Sequence, residues 1–277
     1  MGGLKMEKYK HSGKIGILGI IYMLIFGIAS ALLFGMLYSY LIHFIPFPYI
    51  NFFITLGFGI IVGVATGYGG KLGKIRNNKV MLIGGLLTGI IALYCSWVGY
   101  IFVSSGSETW LLNPASILTM AKVVAAIGPW SIFGITFKGA LLYFVWIIEA
   151  LIIVGTSTIV AMGHISDSIF CEKCNKWLKH KETISRLEPL KNLDVQIKQF
   201  QQGDFSSLYG LKKANSNVYT ELEIQHCHLC KEQYFLAVKL IGISIDKDGK
   251  EKKKESEIVK HATISASTYN QLSKLKK

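Results

Sequence analysis

Four long apolar stretches limit what this chain can fold into more than any other feature of its sequence. They run over residues 15–45, 49–68, 80–103 and 140–162. A helix needs about 20 mainly apolar residues to cross the hydrocarbon core of a bilayer. Only 17% of the 277 residues are charged and the mean hydropathy is +0.40, which argues against a soluble globular fold. We therefore predict an α-helical membrane bundle of four transmembrane helices over residues 1–163.

The basic residues between these stretches predict the orientation. Four lysines precede the first stretch, and four Lys or Arg residues lie in the loop at 70–79. The turn over residues 43–48 has neither Lys nor Arg. Loops rich in Lys and Arg stay on the cytoplasmic side, so the N-terminus, the 70–79 loop and the chain after Met162 are expected in the cytoplasm. We expect a multi-pass protein of the inner (plasma) membrane with both termini cytoplasmic.

Residues 115–137 leave the number of spans open. They are mostly apolar, but Gly128-Pro129 interrupts them and Lys122 lies within the segment. The part before the break is too short to cross a bilayer, so we predict an external interfacial or re-entrant helix. The alternative is a fifth span, which would move the C-terminal part of the chain to the outside.

Glu149 is the one acidic residue within the apolar stretches. An ionised carboxylate is costly to bury in hydrocarbon, so an acidic residue in a span is a candidate functional site. One hypothesis is a hydrogen bond from Glu149 to a neighbouring helix. The other is a proton or cation site at the centre of the bundle.

Glycines recur every four residues in two of the spans. They are Gly59, Gly63 and Gly67 in the second span, and Gly85 and Gly89 in the third. Such small-residue faces let helix backbones approach closely, which favours packing between helices. The same faces are candidates for homo-oligomer contacts or for a path lined by glycine backbone.

Two cysteine pairs mark residues 164–277 as a separate domain. Cys171 and Cys174 form the first pair, Cys227 and Cys230 form the second, and 52 residues lie between the pairs. Two such pairs can together surround one tetrahedral ion, so we predict one structural zinc held by the four cysteines. Iron in the same shell and a redox-active pair are alternatives. Disulfides would require this domain to lie outside the cell.

Hydrophobic patterns predict a small α+β fold around these cysteines. Residues 218–225, 234–245 and 258–265 have strand-like patterns, and the turn at 246–249 links the second to the third. Leucines and other apolar residues at helical spacing predict an inserted helix over about 187–213. His226 and His228 flank the second cysteine pair, and we expect both at the surface because four thiolates already complete a metal shell.

The two cysteine pairs and the strands around them resemble a zinc ribbon with a helical insertion, over about residues 170–265. This resemblance implies a structural metal ion and says nothing about catalysis. The whole chain resembles uncharacterised bacterial multi-span membrane proteins that carry a cytosolic zinc-ribbon-like domain. That second resemblance implies an architecture and no function.

The sequence lacks the short motifs that accompany common catalytic chemistries. It contains no GxxxxGK[ST] loop, no HExxH and no GxSxG, so an enzyme is not supported. Residues 164–277 hold 20 Lys and Arg against 14 Asp and Glu with no aromatic–basic stripe, so we do not expect nucleic acid as a partner.

Two functional hypotheses remain. In the first, the lipid bilayer holds the bundle, and the cytoplasmic zinc-binding domain is an adaptor or scaffold that binds a protein partner. In the second, the chain is a small transporter or proton-coupled membrane protein centred on Glu149, with the zinc domain as its regulator.

Overall fold

The chain divides into two compact units, residues 12–168 and residues 1–11 with 169–277. The computed structural model describes residues 6–45, 47–129, 131–132, 135–246 and 249–276. Several positions used in the sequence analysis lie outside the described residues: Lys5 of the basic N-terminus, Pro46 of the external turn, residues 247–248 of the hairpin turn, and Lys277.

Among the described residues of the first unit, four helices are long and apolar enough to cross a membrane, which confirms this part of the prediction. They are α1 (Ile17–Phe44), α2 (Pro48–Leu72), α3 (Asn78–Ser104) and α5 (Ala140–Ser166). Large apolar side chains remain exposed along them, among them Leu33 at 69%, Phe53 at 67% and Leu151 at 67%. Such continuous exposure of apolar surface suits contact with lipid rather than with water. These features indicate a membrane protein.

Glycines bring the helices of this bundle together. α1 packs against α2 and α3, and α5 packs against the same two helices. A Cβ atom on Gly63 of α2 would lie 2.7 Å from the backbone oxygen of Ser157 in α5. A Cβ atom on Gly85 of α3 would lie 2.8 Å from the Cα atom of Thr158 in α5. The glycine faces of α2 and α3 are therefore occupied by α5 of the same chain, where close approach maximises dispersion contacts.

The segment after α3 forms a shorter helix than the sequence pattern predicts. Helix α4 covers Pro114–Ile127 and is too short to count among the four candidate spans. The predicted helix over 115–137 was too long because Gly128 adopts a φ of 79°, which ends the helix, and Pro129 follows. The two-residue strands β1 (Ser131–Ile132) and β2 (Ile135–Thr136) pair before α5 begins.

The second unit is an α+β fold built on a four-stranded antiparallel sheet. Its strands, in spatial order, are β5 (Lys181–Leu187), β6 (Val218–His226), β7 (Tyr234–Ile245) and β8 (Glu251–Ile264). A short hairpin of β3 (Phe170–Cys171) and β4 (Lys176–Trp177) precedes the sheet. Strand β5 was not predicted, and β8 begins earlier than the pattern over 258–265 indicates.

The inserted helix is also shorter than predicted. Helix α6 covers Leu193–Gln201, whereas Leu187, the first residue of the predicted insert, ends strand β5. Phe200 of α6 and Leu272 of α7 (Ala266–Ser273) pack against one face of the sheet. The facing strands contribute alternate apolar residues to this core, including Leu222 of β6, because side chains alternate between the two faces of a strand.

Residues 6–11 extend the sheet of the second unit. Lys8 forms a bridge with Ala262, the N–H of Tyr9 donates to the oxygen of His261 at 2.9 Å, and the N–H of Thr263 donates to the oxygen of Glu7 at 2.8 Å. The sequence predicts that these residues belong to the membrane bundle over residues 1–163. The structure instead groups them with residues 169–277.

Candidate metal centre

The four cysteines of the two pairs come together in the second unit. Their sulfur atoms all lie within 4.8 Å of one another, and the Sγ atoms of Cys171 and Cys230 are 3.8 Å apart. Four sulfurs at about 2.3 Å from a tetrahedral zinc would be separated by roughly 3.8 Å from each other. The four side chains thus have the number, type and spacing that a tetrahedral ion requires.

Two similar turns present these sulfurs. The first pair lies in the turn of the β3–β4 hairpin, where the N–H of Cys174 donates to Cys171 Sγ at 3.4 Å. The second pair lies between β6 and β7. In each turn the residue after the second cysteine has a positive φ, 52° at both Asn175 and Lys231. This left-handed residue returns the chain to the next strand after the sulfur pair.

The pKa values of the clustered thiols explain why a cation would stabilise the cluster. Burial raises the pKa of the Cys171 thiol and raises that of Cys174 to about 12. Burial acts in the same direction on Cys227, but the N–H groups of Cys230 and Leu229 outweigh it and lower the pKa of Cys227 to about 7. A divalent cation supplies the charge that allows neighbouring thiols to ionise together.

All five cysteines are free in the described part of the chain, so the pairs form no disulfide. Cys95 lies in α3, apart from the cluster. The four clustered cysteines can hold a metal ion, and four protein ligands leave no open coordination position. A closed shell of this kind is typical of a structural metal and not of a catalytic one.

A group of histidines beside the second cysteine pair was only partly predicted. The expectation that His226 lies at the surface was wrong: it is 7% exposed, and its Nδ1 has no hydrogen-bond partner among the described residues. The His228 ring lies 4.4 Å from the His226 ring and 4.2 Å from the His180 ring. His226 ends β6 and also contacts Tyr234 and Tyr269. Its burial comes from the neighbouring strand β7 and from α7, and only α7 is distant in sequence.

Glu149 lies in the first unit, half-buried, on the wall of a cavity of about 550 Å³. No hydrogen bond or ion pair of Glu149 occurs among the described residues, so the hypothesis of an interhelical hydrogen bond finds no support. Sequence position alone identified Glu149 as a candidate. The cavity could not be predicted, because four different helices line it.

The metal centre and the cavity are the two features from which a function can be inferred. No protein-family model, no curated protein and no solved structure matches this chain.

Proposed function

We propose that this protein is a membrane-anchored adaptor whose cytoplasmic unit is a zinc-ribbon-like module that binds a protein partner. The observation that carries the proposal is the convergence of four sulfurs from two turns that are 52 residues apart in sequence. Zinc is preferred over iron because four thiolates in paired turns are a common structural zinc shell. The closed shell argues for a structural role of the ion and against an enzyme.

The cytoplasmic location is supported by two independent observations. The pairing of residues 7–9 with β8 requires the N-terminus and the second unit to lie on the same side of a membrane. Four spans, an even number, meet this requirement, whereas five would not. The Lys and Arg residues at the N-terminus and at 70–79 then favour the cytoplasmic side of the inner (plasma) membrane.

The partner surface that we propose includes the turn of the second cysteine pair. Leu229 lies between Cys227 and Cys230 and is 65% exposed. A metal ion at the cysteines would fix the backbone on both sides of this side chain, so it would be presented in one conformation. An apolar side chain held rigidly in this way loses little conformational entropy on binding.

Site-specific photo-crosslinking in intact cells tests the adaptor proposal. A photoreactive residue at position 229 should form one discrete adduct with another protein, and Cys227→Ser should abolish it. Val195, which is 56% exposed on α6, is the matched control position and should form no such adduct. An adduct pattern that is the same at both positions, or that survives Cys227→Ser, would contradict the proposed surface.

The second candidate function is a small transporter or proton-coupled membrane protein centred on Glu149, with the metal-binding unit as its regulator. The specific observation in its favour is the cavity that Glu149 lines within the helical bundle. An acidic side chain on an internal cavity is a common arrangement at ion and proton pathways in membrane proteins.

A further inference from the structure

The cavity in the first unit lies at one end of the four long helices. It is lined by residues of α1, α2, α3 and α5, and its volume is about 550 Å³. His43, Pro48 and Ser104, which lie at or near helix ends, form part of its wall. At its deepest point it reaches Ile153, about the middle of α5. A cavity of this size accommodates a drug-sized organic molecule.

The bundle is closed beyond Ile153. A Cβ atom on Gly59 would lie 2.9 Å from the backbone oxygen of Ile153, so α2 and α5 are in direct backbone contact there. Further along, the hydroxyl groups of Thr66 in α2 and Thr88 in α3 form a hydrogen bond of 2.8 Å. Among the described residues, none that lines the cavity lies further along α5 than Ile153.

The polar atoms of the cavity wall favour a cation. Among the described residues that line the cavity, Glu149 is the one Asp, Glu, Lys or Arg. Asn51 contributes a buried Oδ1 atom that has no hydrogen-bond partner among the described residues. The hydroxyl groups of Tyr38 and Thr55 are already bonded to each other at 3.2 Å. Among the described residues, the wall thus offers an acceptor oxygen and a carboxylate but neither Lys nor Arg, and its one basic side chain is His43 at the end of α1.

Aromatic side chains line the same cavity as this carboxylate. Trp97 and Trp146 pack edge to face with ring centroids 4.8 Å apart, and Tyr100 lies next to Trp97 at 6.1 Å. The faces of Trp and Tyr rings attract cations, and aromatic cages commonly bind quaternary ammonium groups. An inorganic cation would instead require several oxygen ligands in place of ring faces.

We propose that this cavity binds a hydrophobic organic cation, with its charge beside Glu149 and its apolar groups against Trp97 and Trp146. The proposal goes beyond the interaction module. It rests on the second candidate function, because both concern the cavity that Glu149 lines. It adds the chemical class of the ligand. Binding and transport are separate measurements: binding without transport would contradict that candidate function and leave the present proposal intact.

Two ions of the same shape and opposite charge test the proposal. The full-length protein in lipid nanodiscs is titrated with tetraphenylphosphonium or tetraphenylborate, and tryptophan fluorescence and equilibrium dialysis report binding, with empty nanodiscs as the reference. We expect saturable binding of the phosphonium, and binding of the borate at least about tenfold weaker, which corresponds to roughly 1.4 kcal/mol.

Substitutions at two glutamates test whether the preference for the cation arises in the cavity. Glu149→Gln should weaken phosphonium binding at least about tenfold, and Glu149→Asp should retain the preference for the cation. Glu108→Gln removes the same charge from an exposed position outside the cavity and should leave binding unchanged. Equal thermal unfolding midpoints of the variants exclude a folding defect.

Three results would overturn the proposal. They are equal binding of the two ions, binding that is unaffected by Glu149→Gln, and the absence of saturable binding in a folded protein. Equal binding of the two ions would indicate a site that recognises apolar surface, such as that of a lipid chain, whereas binding unaffected by Glu149→Gln would show that Glu149 does not hold the cation.

Discussion

Cys227 illustrates how single residues control the stability of the second unit. It is buried, its sulfur lies in the cluster of four, and backbone N–H groups lower the pKa of its thiol to about 7. We expect Cys227→Ser to lose the bound metal, about one zinc per chain, and to make the second unit sensitive to protease. Structural zinc contributes roughly 10–16 kcal/mol in small zinc domains, comparable to the whole stability of a domain. Elemental analysis and limited proteolysis measure both effects.

Cys95→Ser is the matched control for this prediction. Cys95 lies in α3 and takes no part in the cluster, so its replacement should leave the metal content unchanged. Metal-free wild-type protein with two reducible disulfides would contradict both the metal centre and the cytoplasmic location. One iron per chain would keep the geometry and change only the identity of the metal.

Glu223 gives the second unit an acid-sensitive contribution to stability. Its carboxylate lies 2.6 Å from Lys181 Nζ and 3.0 Å from Lys239 Nζ. Burial raises the pKa of Glu223, but the two lysines outweigh it and hold this pKa below its ordinary value of 4.5. A carboxyl group with a lowered pKa in the folded state stabilises the fold above its unfolded pKa. This stability is lost as the pH falls through the folded pKa.

We therefore expect Glu223→Gln to lower the unfolding free energy of the second unit by about 1–2 kcal/mol at neutral pH. The difference from wild type should disappear below the pKa of the folded state. Denaturant unfolding measured across this pH range tests both parts, and the subtraction cancels effects of acid on the metal centre. Glu257→Gln, at an exposed position of β8, should show no pH-dependent difference. A Glu223→Gln difference that persists in acid would indicate lost packing in place of a lost ion pair.

At the scale of elements, α2 and α5 depend on glycine for their contact. A Cβ atom on Gly63 would lie 2.7 Å from the oxygen and 2.9 Å from the Cα atom of Ser157. Backbone atoms cannot move aside as a flexible side chain can, so Gly63→Ala should destabilise the bundle by about 1–3 kcal/mol. Gly57→Ala is the control in the same helix, because no atom of the described residues lies within 4 Å of its Cβ position. Thermal unfolding in detergent compares the two, and equal midpoints would contradict the close packing of α2 and α5.

Local patterns predicted some elements and missed others for physical reasons. The four long helices follow from hydropathy, which is a property of each segment alone. The end of α4 also has a local cause in Gly128, although the apolar pattern continues past it. Strand β5 was missed because only Ile184 and Leu187 of its residues are apolar, and Leu187 shares helical spacing with the apolar residues after it. Its strand conformation depends on pairing with β6, which lies far along the chain.

For the candidate sites as well, local sequence predicted some features, and others depend on tertiary packing. The cysteine spacing alone identified the four candidate ligands, because each pair is a local turn and only their convergence is tertiary. Glu149 was singled out by its charge within an apolar stretch. The cavity around it, and the aromatic rings of Trp97 and Trp146 on its wall, depend on how separate helices pack and leave no signature in one segment.

At the scale of the whole molecule, the number of spans determines on which side of the membrane the metal centre lies. We expect a cysteine introduced at Ser107 to react with a membrane-impermeant maleimide in intact cells. A cysteine introduced at Asn270, exposed on α7, should react only after lysis. The physical reason is the excess of Lys and Arg in the N-terminal segment and the 70–79 loop, which favours retention of these loops in the cytoplasm. Wild-type protein, with its five native cysteines, supplies the background for both measurements.

The pairing of the N-terminal segment with β8 adds a second requirement to this topology prediction. Because Lys8 pairs with Ala262, a cysteine introduced at Lys10 must behave like the one at Asn270. An odd number of spans would place these two positions on opposite sides of the membrane and would break the pairing. Labelling of Asn270→Cys without lysis, while Lys10→Cys stays protected, would show that residues 115–137 cross the membrane. Labelling of both without lysis would keep four spans and reverse the orientation, which would expose the cysteine cluster to an oxidising compartment where disulfides form.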